Sequence, residues 1–338
     1  MKIKELEKEE GYELGLEFAG LFKENIKDFK KAEVYLCDQE KFKIVKNNIN
    51  KVYPEYLEEM YGRADGLGIN RDDFLIEMCF SGFTSKEACT DIVVKVSDNE
   101  IVSGHNEDLS ETIEEAALIK YKKDEMFYFD FSTWNCPQGT TFGWNSNGIV
   151  ISVNTIHTFE YHQQGVPAWF ILRDIVFSRS IEEIEKKIEK VYCTTGFSLN
   201  VVDKNLYKAY SIEKIYDNLD IIEITDKYVH TNHIIHPKTK YSSKLLGCTT
   251  IRWTQANRKL QDLKNKQCTM KEIKDILQFY HDPSQYIYRP IKKDEDCCTI
   301  ATFVFNSKTN EISIYSYYDK SLIKSDYYTI KQISEFDE

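Results

Sequence analysis

The stretch Ala88-Cys89-Thr90-Asp91-Ile92-Val93-Val94-Lys95-Val96-Ser97-Asp98-Asn99-Glu100-Ile101-Val102-Ser103-Gly104-His105-Asn106-Glu107-Asp108 decides the fold. Ile92, Val93, Val94 and Val96 form a β-branched run, Asp98-Asn99 punctuates it, and Ile101-Val102 opens a second run. That pattern predicts a β-hairpin. A hairpin of this length folds its far end back beside its own start, which puts Asp108 within hydrogen-bond reach of the Cys89 backbone. Upstream, residues 4–80 read as helical. Leu6, Leu14, Phe18, Leu21 and Phe22 recur at helical spacing, and a second amphipathic stretch runs from Phe42 to Met60. Asn70-Arg71-Asp72-Asp73 looks like a cap before Phe74 to Phe80. The switch from helix to strand at residue 89 is the only sharp boundary.

Downstream, strands are predicted at 116–122, 126–131 and 148–154, then helices at 167–178 and 181–191. Strands at 197–202, 206–212 and 219–225 precede helices at 250–264 and 270–280, and strands at 298–305 and 311–317 close the chain. Two strand blocks, each followed by a helical pair, predict two sheets faced by helices. A four-layer α/β/β/α sandwich fits that order, and a two-layer α+β fold is nearly as compatible.

The 338 residues allow one large domain or two ordinary ones, and 42% apolar against 29% charged residues is the balance of a globular chain. Lys and Arg number 44 against 55 Asp and Glu, a net charge of −11, which is the wrong sign for tracking phosphates and argues against a nucleic-acid partner. Gly148–Val153 and Cys297–Phe305 are far short of the ~20 apolar residues that span a bilayer, so no membrane association is expected. The Lys- and Glu-rich start from Met1 to Glu10 is unlike a secretory signal. Nine cysteines without regular spacing give no disulfide framework. A cytoplasmic location is the simplest expectation.

Most lone cysteines are small buried hydrophobes, but Cys89 opens the strand that marks the boundary, and Asp108 closes its partner. A thiol at a newly made chain end carries its own base, the α-amine, whose ordinary pKa is about 7.7–8.0. Such a site needs no catalytic histidine.

Ala88-Cys89-Thr90, Gly104-His-Asn-Glu-Asp108, Asn145-Ser-Asn-Gly148 leading to Ser152-Val-Asn154, and His230-Thr-Asn-His233 followed by Thr249-Thr-Ile-Arg252 occur in one order. In that order they resemble the acyl-CoA:isopenicillin N (6-aminopenicillanic acid) acyltransferase-like branch of the N-terminal-nucleophile (Ntn) cysteine hydrolases, with choloylglycine (bile-salt) hydrolases and acid ceramidase as more distant relatives. The resemblance implies an α+β, four-layer Ntn-hydrolase sandwich behind an N-terminal helical propeptide. It also implies a precursor that cuts itself between Ala88 and Cys89, leaving residues 1–88 docked as a small subunit on a catalytic domain of 89–338.

Cys89 would then attack an amide or thioester carbonyl, and water or an amine would take the acyl group. Asp108 orients the amine, Asn232 and Asn154 are first and second choice to hold the oxyanion, and Arg252 supplies electrostatic support to Asp108, the Cys89 region or a substrate carboxylate. The substrate is a small acyl amide, with acyl-CoA allowed as co-substrate; no cofactor or metal is needed, and a homo-oligomer is allowed. Relatives often have Gly where Ala88 stands and Ser at Ile251, and bile-salt hydrolases usually carry Arg where His105 stands, which touches the substrate side more than the cutting chemistry.

Other readings stand beside this one. His230, His233 and His236 with Cys248 form a candidate zinc set, but residues three apart on a strand point to opposite faces. A papain-like Cys-His enzyme would pair Cys89 with His233 or His157 in an uncut chain. A binding module would use the 22 Tyr, 19 Phe and 4 Trp as pocket walls, and Cys89→Ala would leave it untouched. Substrate contacts are sought at His105 and His233, and Trp134, Phe142, Trp144, Tyr161 and Trp169 are offered as walls of an acyl or aromatic pocket.

Overall fold

The computed structural model describes residues 3–22, 39–84, 88–109, 116–134, 137–263, 268–290, 297–317 and 326–330. Two sheets lie at its centre. The larger runs in the order β1 (Ile3–Glu5), β4 (Ala116–Lys123), β5 (Met126–Thr133), β6 (Phe142–Asn145), β7 (Ile149–Ile156), β8 (Gly196–Asp203), β9 (Lys208–Ile215) and β10 (Asn218–Glu223). β1 is parallel to β4, and the other pairs are antiparallel. The smaller sheet, all antiparallel, runs β11 (Lys227–His230), β2 (Ala88–Ser97), β3 (Glu100–Leu109), β14 (Cys298–Asn306), β15 (Glu311–Ser316) and β16 (Asp326–Ile330). β12 (Tyr280–Asp282) and β13 (Gln285–Tyr286) form a separate ribbon.

Strand alternation sorts the apolar side chains into three cores. Along β4, Ala117, Ile119 and Tyr121 face α1 (Gly11–Gly20), α2 (Gln39–Val52), α3 (Pro54–Leu67), α4 (Arg71–Thr84), α5 (Ala168–Ile175) and α6 (Ile181–Glu189) in one core, while Ala116 and Leu118 belong to the core between the sheets. On β2, Val93 points into that middle core, while Ile92 and Val94 point away. They pack on α7 (Gly247–Asp262) and α8 (Met270–Leu277). The layers are therefore α/β/β/α, the four-layer arrangement that the element order predicts.

Two sequence expectations change. Ile3–Glu5 is a strand paired with Leu118–Lys120, not part of a helix, so the N-terminal segment joins the larger sheet directly. The amphipathic run from Phe42 to Met60 is two helices, because Pro54 lacks the N–H that a continuous helix needs and instead occupies the first turn of α3. Part of the helical reading of residues 4–80, namely 23–38, lies outside the described residues. The cap reading at Asn70 holds, since its Oδ1 accepts from the Asp72 and Asp73 N–H groups. Among the described residues no helix is long and apolar enough to cross a membrane.

The hairpin that carries the site is β2–β3, turning at Asp98-Asn99 with Ser97 opposite Glu100. A bulge between Lys95 and Ser97 shifts the register by one residue. Beyond it Cys89 lies opposite Glu107 and Ala88 opposite Asp108. The Gly104-to-Asp108 motif then splits by alternation. His105 and Glu107 face the middle of the sandwich, while Gly104, Asn106 and Asp108 face the α7–α8 layer. A Cβ on Gly104 would lie 2.6 Å from Ile273 Cγ2, so glycine is what lets α8 sit on β3. Asn106 Nδ2 donates to the Leu277 carbonyl (2.8 Å) and pins the end of α8 there.

Candidate active site

Cys89 is buried near the head of β2, where its N–H donates to Asn232 Oδ1 (3.1 Å). Two neighbours fix the orientation of that amide. Arg252 Nη2 has only hydrogens to offer and sits 2.8 Å from one side of Asn232, so that side is the oxygen. The Thr155 carbonyl can only accept, and it takes Nδ2 at 2.9 Å. Asn232 thus faces Cys89 as an acceptor, and its amide hydrogens are directed at Thr155 rather than toward an oxyanion beside the thiol. Its own N–H donates to Thr249 Oγ1 (2.8 Å), near the start of α7.

Arg252 is fully buried. It donates through Nη1 to the Cys89 carbonyl and to Thr90 Oγ1 (2.8 Å), and its Nε lies 4.0 Å from Asp108 Oδ2. Asp108 accepts Thr299 Oγ1 at 2.6 Å and lies under the added influence of Arg289. Burial pushes its carboxyl above the usual range, and the two guanidinium groups pull against that shift. Asp108 reaches the Cys89 backbone through Arg252.

On the other face of the hairpin, Cys89 Sγ donates to Glu107 Oε1 (3.7 Å). Glu107 Oε2 is 3.0 Å from His105 Nε2, and His105 Nδ1 is 2.9 Å from Asp91 Oδ1. Burial alone would lower the imidazole's pKa, but the two carboxylates raise it to about 10, so both nitrogens donate. The thiol is pushed well above its ordinary value by burial and then by Glu107, Asp108 and Asp91, with Arg252 opposing. Both influences, burial and the carboxyl groups, favour the neutral thiol.

His105 is fully buried between these carboxylates, which corrects its expected role as a substrate contact. Trp144 is likewise corrected. It is wholly enclosed between the sheets, stacked on Phe129 at 5.0 Å, and Phe142 stacks on Phe303 at 4.5 Å in the same core. Trp134 and Tyr161 pack on the helical-layer core, with Tyr161 against Phe80 and its hydroxyl donating to the Cys79 carbonyl (3.2 Å). Trp169 does line a narrow cavity of about 10 Å³, room for about one water molecule, together with Cys79, Phe83, Thr155, Thr194 and Phe197. One lining residue, Thr155, is also the residue whose carbonyl holds Asn232.

Asn154, on β7, donates through Nδ2 to His230 Nδ1 (3.2 Å), and His230 Nε2 donates to Glu213 Oε1 (3.0 Å). The three histidines proposed for zinc are engaged separately: His230 there, His236 with Tyr228 and Ser211, and His233 with Thr231 and Thr249. Burial and His230 lower the His233 pKa to about 4. The Cys-His pairing with His233 or His157 is not the one formed, because the thiol's partner is Glu107; the His157 carbonyl accepts the Lys244 N–H. Among the described residues, the donor atoms close enough together to hold a metal ion are those of Cys89, His105 and Glu107.

The sequence reading did not single out Glu107, Asp91, Thr249, Thr299 or Arg289. The signal for the first two was the alternation of the hairpin itself, read with the correct register.

Four layers around a hairpin headed by a buried cysteine, amide and guanidinium define a class, the amide hydrolases and acyltransferases of the Ntn type. The family model described as acyl-coenzyme A:6-aminopenicillanic acid acyl-transferase matches residues 94–320, and the chain belongs to that family. It is similar to the beta-alanyl-dopamine/carcinine hydrolase of Drosophila melanogaster, at 21% identity over 357 aligned positions covering 91% of this chain and 90% of that protein. Two structures of variants of conjugated bile acid hydrolase from Clostridium perfringens are also similar, each at 12% identity over 72% of this chain and 97% of theirs, with TM-scores of 0.46 and 0.43.

Proposed function

We propose that the chain is a precursor that cuts itself between Ala88 and Cys89 and then uses Cys89 to hydrolyse the amide of a small N-acyl amine. The observation that carries this reading is the bond from Cys89 N–H to Asn232 Oδ1. A side-chain acceptor, itself held by Arg252, already grips the nitrogen that cutting would free, so the α-amine would be released into a prepared site. That amine takes the thiol proton, and the thiolate attacks the substrate carbonyl. An acyl-enzyme forms as the amine product leaves, and water releases the acid. Asn232 anchors the amine, Arg252 fixes the Cys89 carbonyl, and Asp108 positions Arg252. Asn154 is the remaining candidate to face the oxyanion, an interaction typically worth ~3 kcal/mol per donor.

The segment up to and including Ala88 stays docked in this scheme. Support comes from β1 in the larger sheet, from the core that α1–α4 share with β4 and β7, and from the buried Glu59 of α3, which accepts Arg63 Nη2 (2.8 Å) and Arg173 Nε of α5 (3.2 Å). α4 also supplies Cys79 and Phe83 to the cavity that includes Thr155, whose carbonyl holds Asn232. The Drosophila relative's name gives β-alanyl-dopamine and carcinine as what that protein hydrolyses, which makes N-β-alanyl amines the first substrates to try.

Intact-mass spectrometry of wild type beside Cys89→Ala tests the scheme. Wild type should give two fragments, the larger beginning at Cys89, and hydrolyse such an amide, whereas Cys89→Ala should give one uncut, inactive chain. An active wild type that remains one piece would refute it.

A further inference from the structure

We propose that Glu107 is the general base of the self-cutting step, taking the proton of the Cys89 thiol and passing it to the backbone nitrogen that departs, with His105 and Asp91 behind it as positioning residues. This rests on the reading that the chain cuts itself before Cys89. It answers a question which that reading leaves open. The mature nucleophile has an α-amine beside it, but in the uncut chain that nitrogen is an amide, without basicity, so another group must accept the first proton.

The surroundings of Cys89 narrow the choice. Arg252 has only protons to donate, the Asn232 amide is not basic, and Asp108 lies on the opposite face of the hairpin under Thr299 Oγ1 and Arg252. Glu107 Oε1 is the basic atom in contact with the sulfur, at 3.7 Å. Its second oxygen is held at 3.0 Å by His105, which Asp91 holds in turn at 2.9 Å. The imidazole lies beside the stacked Phe142–Phe303 pair, 6.4 and 6.1 Å from the two ring centroids. Burial pushes the Glu107 carboxyl up, which strengthens it as a base, and the doubly protonated His105 pulls against that shift and keeps an anion available.

The step balances without an added reagent other than water. The S–H proton moves to Glu107, sulfur bonds to the Ala88 carbonyl carbon, and the bond from that carbon to the Cys89 nitrogen breaks. The nitrogen takes the proton back from Glu107 and becomes the amine. Water then adds to the thioester, the carbon–sulfur bond breaks, and sulfur takes a proton from the water, leaving the Ala88 acid.

The test follows the conversion of freshly purified full-length chain by intact mass, for wild type, Glu107→Gln, Glu107→Asp and Asp91→Asn, with thermal melting to show that each is folded. Glu107→Gln keeps the shape and an acceptor for His105 but loses the basicity, and cutting should slow by about 100-fold or more. Glu107→Asp, which stays basic but draws back from the sulfur, should fall in between, and Asp91→Asn should slow cutting by about tenfold. Folded Glu107→Gln that cuts at the wild-type rate overturns the proposal, and if that variant does not fold, folded Glu107→Asp and Asp91→Asn both cutting at the wild-type rate overturn it equally. A wild type that never cuts refutes the earlier reading instead, so the two failures are distinguishable.

Discussion

Arg252→Met removes a cation from the centre of the site while keeping most of its volume. Arg252 is fully buried and donates to the Cys89 carbonyl, Thr90 Oγ1 and Asn232 Oδ1, with Asp108 4.0 Å from its Nε. Removing one member of a buried pair strands the other, at about 3–5 kcal/mol, and the stranded group here is Asp108, whose Oδ2 has no hydrogen-bond partner among the described residues. At roughly 2–4 °C per kcal/mol for a domain of this size class, melting should fall by about 10 °C. The measurement belongs in the Cys89→Ala background, which on the proposed scheme keeps every molecule in one piece. Arg252→Lys should lose less, since a compact ammonium restores charge but not the planar fork. Adding Asp108→Asn to Arg252→Met should recover about 1 kcal/mol by removing the stranded carboxyl, a coupling of the size expected for neighbours. If Arg252→Met melts within about 2 °C of its parent, the guanidinium is not what holds Cys89, Asn232 and Asp108 together.

Two further outcomes follow from residues away from the thiol. Burial raises the Asp130 pKa to about 7 against bonds from Ser132, Gly139 and Tyr128, so the native state holds a proton that the unfolded chain releases. Stability should therefore fall as pH rises from ~4 to ~7, by on the order of 4 kcal/mol; Asp130→Asn should gain on wild type across that window in denaturant midpoints, and an equal difference at pH 5 and pH 8 would contradict this. α1 and α3 cross at two glycines, where a Cβ on Gly62 would lie 2.0 Å from the Tyr12 carbonyl and one on Gly15 2.1 Å from that of Glu59. Gly62→Ala should cost about 1–3 kcal/mol and open α1 to proteolysis, while Gly20→Ala, with nothing within 4 Å of its Cβ, should leave stability unchanged or raise it slightly.

The elements legible in the sequence were those whose own residues determine them. β2 and β3 are β-branched runs around Asp98-Asn99, and α6 and α8 carry strong apolar stripes. What escaped depended on partners. Ile3–Glu5 is too short to announce itself and is a strand because the edge of β4 accepts it. The aromatic residues mid-chain split by strand alternation, which sends Trp144 and Phe142 between the sheets and leaves Trp169 to line the cavity. The register is the sharper case. With Ser97 opposite Glu100 and no irregularity, Cys89 would face Asp108, as the sequence reading assumes. The bulge at Lys95–Ser97 moves the pairing by one, and a one-residue shift exchanges faces for every side chain beyond it. Asp108 is thereby turned to the Arg252 side, and Glu107, quoted within its motif but given no role by the sequence alone, arrives beside the sulfur.

That division of faces gives the proposed chemistry its order. Before cutting, burial and three carboxyl groups around Cys89 outweigh the opposing Arg252, so a thiolate is disfavoured and the thiol is stored neutral. Only the Glu107 side offers a place for its proton, and only while His105 keeps that carboxylate ionised. Once the Ala88–Cys89 bond is broken, the nitrogen gripped by Asn232 gains basicity and, when protonated, is a cation next to the sulfur, which reverses the sign of the nearest electrostatic influence. A base on one face of β2 would therefore serve the single cut, and the amine on the backbone would serve every turnover after it. On this scheme, substitutions on the Asp91–His105–Glu107 side should act first on how fast the enzyme is made, and those around Asn232 and Arg252 on both its making and its turnover.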